Sequence, residues 1–205
     1  MKKRILTISR EFGSGGHSIG QAVANKLGIA FYDQNLIERI VAETGFAPEF
    51  VKESEEAATT KSSLLFNFAL NRSLQGRNEP SASDAVFFAQ KNVIEDIAEN
   101  ESCVIVGRCS DYILRNRTDC LHAFIHANYA YRAARILERY GEREKPIDKR
   151  IADKDTRRRI YYEHYTERVW GLAQNYHVTL DTAALGEALC VDTLINLFCN
   201  MEDSE

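Results

Sequence analysis

A surplus of positive charge is what this chain most plainly lacks: 26 basic residues face 30 acidic ones, a formal net charge of −4 over 205 residues. Without a basic excess there is no global pull toward nucleic acid or an anionic membrane surface, so any anion site must be built locally. Long apolar runs are missing too. No stretch approaches the roughly 18 uninterrupted apolar residues of a membrane span, and the basic start MKKRILTISREFG has neither a long apolar region nor a cleavage site. The expectation is a cytoplasmic protein with no nucleic-acid or membrane partner.

Cysteine is present but unpatterned. Cys103, Cys109, Cys120, Cys190 and Cys199 are odd in number and without CxxC spacing, so neither a disulfide framework nor a zinc site is expected. His122 and His126 stand four apart, a spacing that could pair them on a metal from a helix. Their segment, CLHAFIHA, reads as a strand, and no metal is expected there.

What is present suffices for one core. With 44% hydrophobic and 27% charged residues, the composition suits a globular domain with room for a small inserted subdomain. Four apolar runs read as strands buried on both sides: RILTIS, CVIVG (Cys103 to Gly107), LHAFIHA and YHVTLD (Tyr176 to Asp181). IAFYD, Ile29 to Asp33, is a shorter fifth. Helical patterns separate them: IGQAVANKLG, QNLIERIVAETG, DAVFFAQKNVIEDIAEN, NYAYRAARILERYG with Asn128 as N-cap and Gly141 as stop, and the C-terminal LGEALCVDTLINLFCNM. Strands alternating with helices imply right-handed crossovers and a mostly parallel sheet covered on both faces.

Two stretches break the rhythm. Residues 45–77 are helix-like throughout, and residues 141–168 are densely charged and tyrosine-rich. No internal repeat appears, so the chain reads as a single domain, with a core of residues 1–44, 78–140 and 169–205, a helical insertion at about 45–77 and a lid at about 141–168.

The chemistry begins at ISREFGSGGHSIG, Ile8 to Gly20, which lies between a strand and a helix. There, glycines let backbone N–H groups and a positive helix terminus approach a phosphate. The strict phosphate loop, GxxxxGK[ST], is not met: with Gly15 as its last glycine, Arg10 stands at the first, Gly16 at the lysine and His17 at the hydroxyl. The dinucleotide pattern GxGxxG also fails, since Ser18 stands where it needs glycine. Gly13, Gly15 and Gly16 remain, with Ser14 between them. They fit either a tight turn or an anion site without naming the nucleotide.

ISREFGSGG, FYDQNLI, VIVGRCSDYIL, FIHANYAYRAARI, DKDTRRRIYYEHYTERVWG and NYHVTLDTAALG, in that order from Ile8 to about Gly186, together resemble the cytidylate kinase-like family of P-loop nucleoside monophosphate kinases. The resemblance implies an α/β fold of the P-loop nucleotide kinase kind: about five parallel strands flanked by helices, with a helical monophosphate-binding insertion and a lid. It also implies ATP and Mg²⁺ as cofactors and phosphoryl transfer to a small-molecule nucleotide, CMP or dCMP foremost. A nucleotide-binding protein with weak or lost catalysis, or a kinase of a different small acceptor, are the alternatives.

Phosphoryl transfer asks for positioning and positive charge around the migrating group, so the arginines decide the expected roles. Arg108 follows a buried strand and matches the GRD arginine that contacts the acceptor phosphate in the family. Arg132 and Arg135 match arginines of one family helix, Arg132 being the better placed and Arg135 equally readable as a surface salt bridge. The family's Asp-x-x-Arg pattern selects Asp155 and Arg158: Arg158 clamping the transferred phosphoryl, Asp155 orienting an arginine or the metal's water shell. Because consecutive helical residues diverge by about 100°, Arg157 and Arg159 fall to solvent. Ordinary cytidylate kinases carry a lysine where Gly16 stands, and its charge is expected from Arg10, from His17 or from lid arginines. Ser18 is the hydroxyl expected on magnesium or, alternatively, a capping residue. Asp33 either contacts the acceptor or caps the next helix, and Arg39 and Arg72 are further substrate candidates. Tyr161, Tyr162, Tyr165 and Trp170 read as packing before base stacking.

Overall fold

The computed structural model describes residues 3–33, 35–45 and 82–201. Five strands form one sheet: β1 (Ile5–Arg10), β2 (Ala30–Tyr32), β3 (Cys103–Val106), β4 (Cys120–His126) and β5 (Val178–Asp181). Every pairing is parallel and the spatial order is β2-β3-β1-β4-β5. Each segment read as a strand is one. The helices are α1 (Gly16–Leu27), α2 (Asn35–Thr44), α3 (Ala82–Asn100), α4 (Ser110–Ile113), α5 (Tyr129–Tyr140), α6 (Ile147–Thr166) and α7 (Thr182–Cys199), with one 3₁₀ turn at Ala173–Asn175. The proposed insertion at about 45–77, and Arg72 with it, lies outside the described residues.

The alternation of side chains along each strand divides the core in two. Ile5, Cys103 and Ile105 pack against Leu36 and Ile40 of α2 and Val86, Ile94 and Ile97 of α3. Leu6, Ile8, Val104 and Val106 turn the other way, onto Ile19 and Val23 of α1 and Val191, Leu194 and Phe198 of α7. Both faces are covered, which is why β1 and β3 read as unbroken apolar runs. Burying each such aliphatic side chain contributes about 1.5 to 3 kcal/mol. Truncating Leu6 or Ile94 to alanine, both fully buried, costs about 2 to 5 kcal/mol.

Helix ends follow local chemistry. The Asn128 side chain accepts from Tyr131 N at 3.0 Å, and Gly141, at φ 67°, ends α5. Asp181 caps α7 through Ala183 N at 2.9 Å, so that helix starts three residues before the expected Leu185; a kink at Gly186, φ 77°, interrupts it. α7 is apolar and long enough by composition to cross a membrane, yet its Cys190, Val191, Leu194 and Phe198 lie in the sheet's core.

His122 and His126 lie on β4, as the strand reading requires, and no metal-holding cluster of His, Cys, Asp and Glu occurs among the described residues. His122 is buried: its Nδ1 shares a 2.8 Å hydrogen bond with Thr7 Oγ1 and its ring stacks on His177. All five cysteines are free, four of them buried.

Candidate active site

In a sheet of order 2-3-1-4-5 the connections diverge on either side of β1, and ligands collect beyond the strands' carboxyl ends at such a point. The glycine turn leaves β1 there. Glu11 N donates to Ile125 O at 3.0 Å, and Ser14 Oγ donates to Glu11 O and Ile125 O at 2.9 and 3.0 Å. Ser14 is fully buried. Its hydroxyl therefore fastens the turn to β4, its carbonyl accepts from Thr182 Oγ1 at 2.7 Å, and Ser14, expected among the phosphate-binding residues, does not line the cavity above the turn. Gly13 and Gly15, at φ 84° and 91°, occupy the left-handed region that side chains rarely adopt.

A cavity of about 680 Å³ opens over this turn. Seven cationic side chains line it: Arg10, Arg108, Arg135, Arg139, Lys154, Arg157 and Arg158. Glu11 and Asp33 are its only carboxylates among the described residues. A chain that is acidic overall has thus gathered its positive charge in one concavity. Burial holds Arg158 down to about 9 and Arg108 to about 10, with Arg10 pushing the same way on both and Asp33 opposing. Arg10 itself is lowered by burial, against the pull of Asp33. Guanidiniums crowded out of water and repelling one another form a site whose deficit is an anion.

Beneath the turn lies a braced network. Arg132, 7% exposed, bridges Glu11 Oε2 and Asp155 Oδ2, both at 2.9 Å. Asp155 Oδ1 accepts from Phe12 N at 2.7 Å, and Glu11 Oε2 from Ala127 N at 3.1 Å. Burial, outweighing these partners, raises the Asp155 carboxyl above its usual range. Together these contacts tie β1's turn to α5 and α6. Asp155, which the resemblance assigned to an arginine or to the metal's water shell, contacts Arg132 at 2.9 Å and, more distantly, Arg158, whose Nη1 lies 3.9 Å away. Arg132 is occupied by its two carboxylates and does not line the cavity.

Other expectations shift as well. Arg157 is half-buried and lines the cavity, against the reading that left it to solvent; the turn of α6 that aims Arg158 inward leaves Arg157's long stem able to curl in too. Arg159 is exposed, as expected. Arg135 Nε holds Glu187 Oε1 at 2.7 Å, while Arg135 Nη2 and Arg139 Nη1 meet Ser18 Oγ at 3.0 and 2.6 Å. Two cations on Ser18 Oγ oppose a third, so magnesium could reach that oxygen only after they turn away. Arg139 stands four residues beyond Arg135 on α5, a helical spacing that could have revealed it. Lys154 and Glu187 carried no signal.

His17 Nε2 lies 3.2 Å from Asp33 Oδ2, and Arg10 Nη2 3.8 Å from Asp33 Oδ1, so the Asp33 carboxylate faces the turn's two basic residues. Arg39 is exposed over the Tyr32 ring, beside a shallow groove with Asn92 and Asp96, and does not join the cavity. Tyr161, Tyr165 and Trp170 pack around Phe87, Cys109 and Tyr162, with Tyr165 stacked on Phe87 at 4.0 Å. Tyr161, Tyr162 and Trp170 also edge the cavity. Gly107, Arg108 and Cys109 run consecutively at φ 79°, 60° and 53°. Two non-glycine residues held there store strain of order 1 to 3 kcal/mol each, and the Arg108 carbonyl is fixed by Gln90 Nε2 at 2.8 Å.

A parallel sheet of this order and a glycine turn opening α1, with a cationic cavity at the strand ends, are the fold of the P-loop kinases. The profile of the cytidylate kinase-like family matches residues 5–184. The chain belongs to that family, and family and fold together support a small-molecule phosphotransferase. Among solved structures, an uncharacterized protein from Eubacterium ventriosum ATCC 27560 is 25% identical with a TM-score of 0.71, the alignment covering 97% of this chain and 99% of that one. Shikimate kinase from Bacteroides thetaiotaomicron matches at 15% identity and TM-score 0.55, over 95% and 97% of the two chains. A sugar kinase from Janibacter sp. HTCC2649 matches at 11% identity and 0.54, over 98% and 96%. The last two show the fold alone. A search of curated proteins gave no significant match.

Proposed function

We propose that the protein transfers the γ-phosphoryl group of ATP to a nucleoside monophosphate, with CMP or dCMP the leading acceptor. The observation that carries this reading is the cavity itself: seven cationic side chains around a glycine turn, in a chain with net charge −4. Such a reaction brings two phosphorylated molecules together, and their repulsion must be offset in a space shielded from water.

The residues divide by position. The turn from Gly13 to Gly16 would present backbone N–H groups to the triphosphate. Arg158, which also donates from Nη1 to Arg10 O at 3.0 Å, would clamp the group in transit from α6, the helix of the proposed lid. Arg108 would take the acceptor's phosphate. Arg132 and Asp155 act as positioning residues, since their contacts hold the turn against α5 and α6. Magnesium, when bound, neutralises phosphate charge and draws its ligands mainly from phosphates and water, needing few protein groups; Ser18 would be the hydroxyl offered to it once Arg135 and Arg139 turn away. Asp33 faces the acceptor side, while Arg39 could contribute only through a change of conformation. Five free thiols suit the cytoplasm.

One observation favours a second acceptor class. A phosphate oxygen needs no base to attack, whereas a hydroxyl gains from one, and Asp33 is a cavity carboxylate beside His17. Sugar kinase and shikimate kinase, by their names, act on hydroxylated molecules. A coupled assay of ADP release, run with a panel of nucleoside monophosphates and of hydroxylated small acids and sugars, tests both. CMP-dependent turnover is the expected outcome; turnover only with a hydroxyl acceptor replaces the reading, and ATP binding without turnover for any acceptor identifies a protein that has lost catalysis.

A further inference from the structure

Gly16 stands where ordinary cytidylate kinases have lysine, and the structure gives that glycine a spatial reason. It is absent from the positive-φ glycines, unlike Gly13 and Gly15, so its backbone does not demand glycine. The restriction is space. A β-carbon built on Gly16 would fall 2.6 Å from Arg10 Cβ, 3.0 Å from Arg10 Cγ and 3.4 Å from Ile125 Cβ. Arg10 Cβ and Cγ are the root of the side chain, which cannot swing aside as its tip can. A lysine at 16 and a side chain at 10 therefore exclude one another on this backbone.

The path of Arg10 repeats the pattern at its other end. After crossing Gly16, its guanidinium lies against Gly107 at the end of β3, where a β-carbon would collide with Nη1. Here φ is 79°, so glycine answers both to backbone and to space. Two glycines from segments ninety residues apart thus line one channel, and what fills it is Arg10. From there the guanidinium reaches Asp33, Nη2 to Oδ1 at 3.8 Å, and lies close enough to Arg108 and Arg158 to push on both.

We propose that Arg10 supplies the charge of the missing lysine, reaching the phosphate site from the end of β1, and that glycine at 16 is the space this substitution requires. The inference rests on the reading of the turn as a triphosphate site. Arg10 makes and breaks no bond. In the transfer the Pγ–O bond to the β-phosphate breaks, a bond from Pγ to the acceptor oxygen forms, and ADP departs with the electron pair; the guanidinium stays protonated throughout. His17 is the poorer source. Its side chain is 43% exposed and its Nε2 faces Asp33 Oδ2 at 3.2 Å.

The relocated cation predicts an exchange between two positions. ATP dissociation constants, measured by calorimetric titration, and melting temperatures would be compared for the wild type, Arg10→Gln, Gly16→Lys and the double variant Arg10→Gly/Gly16→Lys. Arg10→Gln keeps the stem as far as Cδ but removes the guanidinium charge, and should weaken ATP binding roughly tenfold or more, the scale of one charge-assisted contact. Gly16→Lys should lower the melting temperature and weaken binding, because the new stem displaces the old. The double variant should recover the melting temperature and come within roughly threefold of wild-type affinity, less than half the binding free energy lost by a tenfold change.

ATP binding by Arg10→Gln within twofold of the wild type overturns the inference and leaves the triphosphate reading standing. So does Gly16→Lys binding normally with an unchanged melting temperature. A folded wild type that binds no ATP overturns the triphosphate reading and this inference together. Should Gly16→Lys fail to fold, the comparison of Arg10→Gln with the wild type still decides.

Discussion

Beneath the glycine turn and above it, the same residue types are used to opposite ends. Below, Arg132 is buried between Glu11 and Asp155, and those carboxylates also accept from Ala127 N and Phe12 N. Above, seven cationic side chains share a cavity with two carboxylates. A charge fully matched by its neighbours holds segments in place and has nothing left for a ligand. Cations that outnumber the carboxylates lining the same cavity, kept together by a rigid frame, favour an anion there. The lower cluster is what allows the upper one: it pins the turn to α5 and α6 while like charges crowd above.

Substitutions can break that comparison. Above the turn, Arg158→Ala should cut kcat by about a thousandfold while changing the ATP dissociation constant much less, because a clamp on the migrating phosphoryl acts mainly in the transition state. Steady-state kinetics with the acceptor found in the panel, beside ATP titration, would read this. Equal losses in both would remove the role. Below it, Arg132→Ala should cost about 3 to 5 kcal/mol of stability, since a buried arginine would be lost and two half-buried carboxylates would be left without their counter-charge. Chemical denaturation measures this, and a loss under about 1 kcal/mol would show that Arg132 is no brace. Arg135→Ala is the paired control: its partner Glu187 is over a third exposed, and the expected cost is within about 1 kcal/mol.

The brace must also be separated from another acid-sensitive group. Burial, with His177 and Arg168 adding to it, lowers His122 to about 4. An unfolded histidine gains its proton near pH 6.5, before the buried one does, so His122 contributes stability above that pH and loses it as pH falls toward 4. His122→Asn should therefore gain on the wild type by up to roughly 3 kcal/mol between pH 6.5 and 4, read as the change in their difference in denaturation midpoints. A constant difference would assign the acid loss elsewhere. At the acceptor end, Arg108→Ala should raise the acceptor KM roughly tenfold with ATP affinity little changed, and an unaltered KM would take Arg108 out of acceptor binding.

Much of this frame was legible in order along the chain. The apolar runs of β1, β3 and β4 and the caps Asn128 and Gly141 are local signals, and each segment did what its spacing required. The site was legible only in part. Arg108 was found because it follows a buried strand and matches the family's GRD, Arg158 because it matches the family's Asp-x-x-Arg pattern, and both line the cavity. Arg132 was expected among the reacting groups and is instead held beneath them, because Glu11 lies 121 residues away in sequence and no spacing rule reaches that far. Arg157 was assigned outward by helical angle alone, yet a long flexible stem can bend to a different surface from the one its α-carbon faces. Lys154, Arg139 and Glu187 come into play only through the packing of α5, α6 and α7 around the turn.

Sequence alone determined the alternation of strands and helices, the glycine turn between β1 and α1, and the absence of a lysine from that turn, since periodicity and backbone freedom act between near neighbours. Tertiary structure decided where the charge went. Arg10 can lie across Gly16 and against Gly107 only because β1 and β3 pair side by side, and Arg132 can be neutralised only because α6 closes over α5. Electrostatic and steric exclusion act across a few ångströms of space, and only folding makes residues distant in the chain close enough to feel them.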